Sequence, residues 1–182
     1  MELKEAIENR RSIRKFDQTK LEKHIIEEMI YDGTLAPSAK NRQPWKFIVI
    51  QNEQIKNSIV EEMMKEVENR IHMGKNKVSI EETAKAMKQA PCLVMIFNIE
   101  PHNCISDIQS IGACIENMCL SATDKGLGSL WINDIYAIED KLKNLLHQEE
   151  HQLVAGLALG YSLQSPKPRP RKSIEEVMEI IE

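Results

Sequence analysis

The chain has 182 residues, 42% of them apolar and 29% charged, enough to bury one domain and too few for two ordinary ones. Its formal charge of −4 and pI near 5.8 argue against nucleic acid or an anionic membrane as bulk electrostatic partners, because phosphate-rich surfaces select basic faces. Cys92, Cys104, Cys114 and Cys119 form no CxxC pair and the N-terminus shows no apolar leader, so free, mostly buried thiols and a reducing cytoplasm are expected.

Leu3, Ala6 and Ile7 share one face of a first helix, followed by a basic segment with Arg10, Arg11, Arg14 and Lys15. Thr19 and Glu22 have capping-box spacing, and Ile25, Ile26, Met29 and Ile30 then make the apolar stripe of a second helix up to Gly33. Residues 34–44 carry two prolines, a serine and an asparagine, which predicts a rigid irregular loop. Residues 45–51 read as a strand buried on both sides, with Phe47 and Val49 on one face and Ile48 and Ile50 on the other. Ile55, Ile59, Val60, Met63, Met64 and Val67 continue as a helix, polar residues 69–78 read as a mobile surface segment, and Ser79 with Glu82 caps another short helix.

Residues 91–99 form a second buried strand, and residues 108–125 a long helix with apolar residues on most sides, stopped by Gly126. A short strand over 127–132, a helix over 138–146 and a strand over 153–161 precede a Pro-rich basic tail with Lys167, Arg169, Arg171 and Lys172. These elements, without an internal repeat or linker, predict a single domain over residues 1–182: three-layer α+β, with a small mixed β-sheet flanked by helices. The longest weakly charged runs, 90–99 and 152–165, fall short of the roughly 20 apolar residues of a spanning helix.

Several motifs fail on inspection. HQEEH at His147–His151 has Gln148 where a zincin needs Glu directly after the first His, so no metal is expected there. The glycines form neither GxGxxG nor a P-loop, so a nicotinamide would have to bind transiently by other means. No Ser-His-Asp or Cys-His nucleophile constellation stands out.

Four segments are more specific. ENRRSIRKF at Glu8–Phe16, PSAKNRQPWKFIVI at Pro37–Ile50, GLGSLWI at Gly126–Ile132 and PRPRK at Pro168–Lys172 occur in an order and spacing that resemble the nitroreductase family over essentially the whole chain. The resemblance implies a nitroreductase-like fold and an FMN-binding homodimer with each flavin at the subunit interface. Arg10, Ser12 and Arg14, with Arg11 adjacent, match positions at the FMN phosphate, ribityl chain and pyrimidine side. Guanidinium groups suit both a phosphate and the flavin edge that becomes anionic on reduction. Pro37, Ser38, Ala39 and Asn41 match a loop that the second subunit lays against the isoalloxazine ring, and Gln43 adds an amide. Trp131, Ile132 and Asn133 match the main-chain stretch near flavin N5, with Asn133 and Asp134 standing where many relatives have Gly. Arg169 and Arg171 match a late basic pair that reaches the phosphate.

The activity so implied is ping-pong hydride transfer from NADH or NADPH, through flavin N5, to a nitroaromatic, a quinone or a related small-molecule acceptor. It needs no obligatory catalytic side chain. Two other classes fit the same residues: an FMN-binding redox-sensing module without useful turnover, and an anion-binding interaction domain. The basic clusters read by themselves are equally well solvated charge.

Overall fold

The computed structural model describes residues 1–100 and 104–182. Helices α1 (Leu3–Asn9) and α2 (Lys23–Thr34) precede strand β1 (Trp45–Ile50), and helices α3 (Glu53–His72) and α4 (Val78–Gln89) lead to β2 (Cys92–Asn98). Helix α5 (Ile105–Asp124) runs into β3 (Gly128–Ile132), and α6 (Glu139–Leu146) into β4 (Gln152–Gly160); one turn of helix, α7 (Ile174–Val177), lies in the tail. The sheet order is β1-β2-β4-β3, so the last strand is inserted between two earlier ones.

Strand alternation sorts the core into two halves. Cys92, Val94 and Ile96 of β2 pack with Ile111, Cys114, Ile115 and Met118 of α5, while Leu93, Met95 and Phe97 pack with Ile59 and Met63 of α3 and Met87 of α4. Every β2 residue is buried, as its unbroken apolar run CLVMIFN requires. A bulge between Ile96 and Phe97 pairs them with Ala155 and Leu153 and skips Val154, which sends both Val154 and Ala155 to the α5 side. The Tyr136 hydroxyl donates to the Val154 carbonyl and covers the irregularity.

The expected three-layer α+β architecture is present, with several local corrections. Among the described residues all strand pairs are antiparallel, not mixed, and parallel pairing is confined to the isolated bridge Ser12–Ser129. Strand β1 is an edge strand and leaves Val49 40% exposed, so it is not buried on both faces. Neither expected capping box forms. Thr19 donates its amide to Asp17 Oδ1 at 2.8 Å and α2 starts later, after Glu22, while the Ser79 hydroxyl lies inside α4 and donates to Asp134 Oδ2 at 2.6 Å. The segment expected to be irregular from residue 69 is helical through His72, because Arg70 pairs with Glu66 one turn earlier at 2.9 Å.

Candidate functional site

The chain's two ends are laced together along the open edge of β3. Ile13 N–H donates to the Ser129 carbonyl at 2.9 Å, Leu163 N–H to Lys15 O at 2.9 Å, and Asp17 N–H to Tyr161 O at 2.9 Å. Ile13 and Phe16 are buried in the core and anchor this segment, so the intervening polar residues face outward. Gly128 permits the approach: a Cβ there would stand 2.8 Å from Ile13 Cγ1 and 2.9 Å from its Cβ.

The lacing creates a cavity of about 340 Å³, with Arg10, Arg11, Ser12 and Arg14 on one wall and Lys167, Arg169 and Arg171 on the other. Arg10 Nε pairs with Glu116 Oε1 at 3.2 Å; none of the other five cations has a carboxylate partner among the described residues. Arg11 donates Nη1 to Glu8 O at 2.6 Å and Arg10 O at 2.9 Å, yet its Nε is buried with no acceptor among the described residues. A buried orphan donor is costly, and crowded guanidinium groups repel one another, so this donor set suits a dianion such as a phosphate ester.

Trp131 lies a short way along the same edge. The residue is 37% exposed and its ring rests beside Gly112 of α5, where a Cβ would meet Trp131 Cη2 at an ordinary 3.8 Å. Glu116, which holds Arg10, is one turn beyond Gly112, so a single face of α5 underlies both the basic cavity and the indole. Since Ser129 directs its carbonyl to Ile13 and away from β4, alternation turns the Trp131 amide to the same open side. Ile132 is buried in the core and offers only its backbone. Asn133 is exposed at the rim of a separate cavity of about 330 Å³, which Arg70, Ser79, Asp134 and Tyr136 also line.

Pro37, Ser38, Ala39, Asn41 and Gln43 do not line the basic cavity. They form a loop over the start of α5, with Ala39 N–H donating to Ser110 Oγ at 3.3 Å and Gln43 N–H to Ser38 Oγ at 3.1 Å. Lys40, Asn41 and Gln43 adopt left-handed φ angles of 54°, 54° and 50°. Sequence reasoning passed over Arg42, whose guanidinium donates to Asp107 Oδ1 and Ser106 Oγ, each at 3.1 Å for one nitrogen. The partners are 65 positions apart, and no local pattern reveals them. Lys167 was likewise left out of the site, although its place beside PRPRK was a compositional hint.

Burial pushes the thiols of Cys92 and Cys114 up to about 12 and that of Cys119 to about 11. Half-buried Cys104 is held below its usual value, chiefly by the Ser106 hydroxyl and secondarily by Arg42. His147 ends α6 in a left-handed conformation and His151 precedes β4, so HQEEH does not put two imidazoles on one helix.

Residues 7–161 match the nitroreductase family. The chain belongs to that family. Among solved structures it is similar to a BluB-like flavoprotein of Clostridium difficile, with a TM-score of 0.83, 32% identity and 100% of each chain covered. A nitroreductase of Bacteroides fragilis with bound FMN shares the fold at a TM-score of 0.80 and 23% identity, over 100% of each chain. A curated relative from Methanothermobacter thermautotrophicus, provisionally named an NADH dehydrogenase or NAD(P)H nitroreductase, is 26% identical over 93% of this chain and 82% of its own length. The nitroreductase-like fold expected from the four sequence segments is therefore the fold observed, and membership of the family makes oxidoreductase chemistry the frame for the site.

Proposed function

We propose that this nitroreductase-family chain is an FMN-dependent oxidoreductase working as a homodimer. It passes hydride equivalents from NADH or NADPH to a nitroaromatic, quinone or related small-molecule acceptor in a ping-pong sequence. The observation that carries the reading is the basic cavity, where Arg11, Arg14, Lys167, Arg169 and Arg171 converge without carboxylate partners among the described residues and Arg11 keeps a buried donor free. The C. difficile protein is named a flavoprotein and the B. fragilis structure contains FMN, which supports a flavin as the phosphate-bearing ligand. The name of the M. thermautotrophicus relative supports a nicotinamide as reductant.

When bound, FMN supplies the hydride-accepting and hydride-donating centre at N5. Arg11, Arg14, Arg169 and Arg171 would hold the phosphate, and the Ser12 hydroxyl would serve the ribityl side. Arg10, steadied by Glu116, adds positive charge to the same wall. The outward Trp131 amide would be free to donate a hydrogen bond to the flavin's reacting edge, with Ile132 and Asn133 shaping the backbone beside it. Pro37, Ser38, Ala39, Asn41 and Gln43 of a second copy cover the ring, which accounts for their distance from this chain's own cavity. No side chain has to form a covalent bond or relay a proton for hydride transfer; orientation and fixed charge are the protein's contribution. A reducing cytoplasm is the proposed location, in keeping with four free thiols. Among the described residues no helix is long and apolar enough to cross a membrane.

The test is optical. Purified protein should be yellow, with about one FMN per chain as one site per chain implies. Anaerobic NADH or NADPH should bleach it, and a quinone or nitroaromatic should restore the colour. Colourless protein that refuses added FMN overturns the cofactor assignment. Flavin that binds but stays oxidised with both nicotinamides leaves the redox-sensing module in its place.

A further inference from the structure

The loop that carries Pro37 to Gln43 is held in an unfavourable conformation by a contact that lies outside the flavin site. Left-handed backbone is sparsely populated by residues with a Cβ, and here Lys40, Asn41 and Gln43 all adopt it. Such a loop persists only if its surroundings over-determine it. Arg42 sits between two of these residues, and its guanidinium reaches down to the first turn of α5. Nε donates to Asp107 Oδ1 at 3.1 Å, and Nη2 donates to the same oxygen and to Ser106 Oγ at 3.1 Å.

Asp107 is only 1% exposed, and its second oxygen has no donor among the described residues. Glu100 stands at 3.9 Å from Arg42 and is half-buried, and among the described residues the close cation compensating the buried Asp107 carboxylate is Arg42. Ser110, one turn further along α5, accepts from Ala39 N–H and extends the same attachment. Breaking the Arg42–Asp107 pair would leave a buried charge uncompensated and release the restraint on Asn41 and Gln43 together.

We propose that Arg42 and Asp107 are positioning residues: their ion pair fixes the left-handed loop in the shape that meets the flavin ring of a second copy. The inference rests on the flavin reading above and adds residues that act on the ring only through the loop. It therefore predicts a signature unlike that of the phosphate arginines. A loop that touches the ring affects every flavin equally, with or without a phosphate.

The experiment uses the full chain as purified, with Arg42→Ala, Arg42→Lys and Asp107→Asn. Apo-protein is titrated with FMN and with riboflavin, and amide hydrogen exchange is followed over residues 38–43. Arg42→Ala should weaken both flavins in parallel, roughly tenfold or more, as loss of a charged hydrogen-bond partner implies. Arg42→Lys, which keeps the charge and loses the fork, should fall between parent and Arg42→Ala. In all three variants the Asn41 and Gln43 amides should exchange faster while the sheet keeps its protection.

Folded Arg42→Ala that binds both flavins as the parent does overturns the proposal, and so does loss confined to FMN, which would put Arg42 at the phosphate. If Arg42→Ala does not fold, Arg42→Lys decides: parental exchange at Asn41 and Gln43, or parental flavin affinity, overturns it. A parent chain that binds neither flavin overturns the functional reading instead, a result distinct from any variant-specific one.

Discussion

Arg169 and Arg171 are exposed, and among the described residues Arg171 donates only to the backbone oxygens of Arg169 and Pro170, at 3.2 and 3.3 Å. If they hold a phosphate, the double variant Arg169→Ala/Arg171→Ala should lose roughly ten- to a hundredfold in FMN affinity, with riboflavin little changed. Calorimetric titration of both ligands checks this; unchanged FMN affinity would make the pair surface charge. The cysteines give a second expectation at this scale. The Ser106 hydroxyl and Arg42 favour the Cys104 thiolate, whereas burial disfavours ionisation at Cys92, Cys114 and Cys119. Iodoacetamide should modify Cys104 first in native protein, with a half-maximal rate at a pH below the usual thiol value of 9.0. Peptide mapping that finds another cysteine modified first would contradict this. The sign is opposite for the buried three. Their raised values mean that the unfolded chain loses protons first as pH climbs past 9.0, so stability falls from there toward pH 11 to 12. Urea midpoints measured from pH 8 upward would show the decline.

At the level of elements, the contact of the 10–16 segment with β3 depends on a missing side chain. Gly128→Ala would press a Cβ against three atoms of Ile13 at 2.8 to 2.9 Å, and Ile13 lies between Ser12 and Arg14. Overpacking of this kind costs about 1–3 kcal/mol. Gly128→Ala should therefore lower the denaturant midpoint and weaken FMN as well, while Gly112→Ala, with its nearest neighbour at 3.8 Å, should be milder on both counts. Equal midpoints for the two variants would remove Gly128 from the account. The strands and long helices were legible in the sequence because pattern and length report burial: CLVMIFN, an apolar run closed by a polar residue and preceded by Pro91, is too short for a buried helix and fits a two-sided strand. The caps were not, because Thr19 and Ser79 found competing acceptors in Asp17 and Asp134, and only the folded chain says which acceptor is near. The arginines of the cavity were legible as family signatures, and the lacing that joins them explains why they occur at opposite ends of the chain. Arg42 and Asp107 were invisible because an ion pair spanning 65 positions leaves no spacing to read.

For the whole molecule, the exposed apolar residues call for a cover. Met1, Leu3 and Ile7 of the α1 region, Leu35, and Ile174, Val177 and Ile180 of the tail all lie in the open in the single chain. The apolar positions of α5 are largely consumed inside the chain: Ile111, Ile115 and Met118 are buried, leaving Ile105 and Ile108 at the surface. Sedimentation should nonetheless give the mass of two chains, and flavin should be lost on dilution in step with dissociation. A monomer that keeps its FMN fully bound would contradict the dimeric site. Strand β4, the last to be made, is central, and the basic cavity joins residues 10–14 to residues 164–171. On a ribosome, β2 and β3 thus emerge with no strand between them, and the N-terminal arginines wait for partners not yet synthesised. If the basic cavity holds a flavin phosphate, as proposed, a nascent chain lacks that cavity until residues 164–171 are made. On the flavin reading, cofactor loading would then follow synthesis of the tail rather than accompany it.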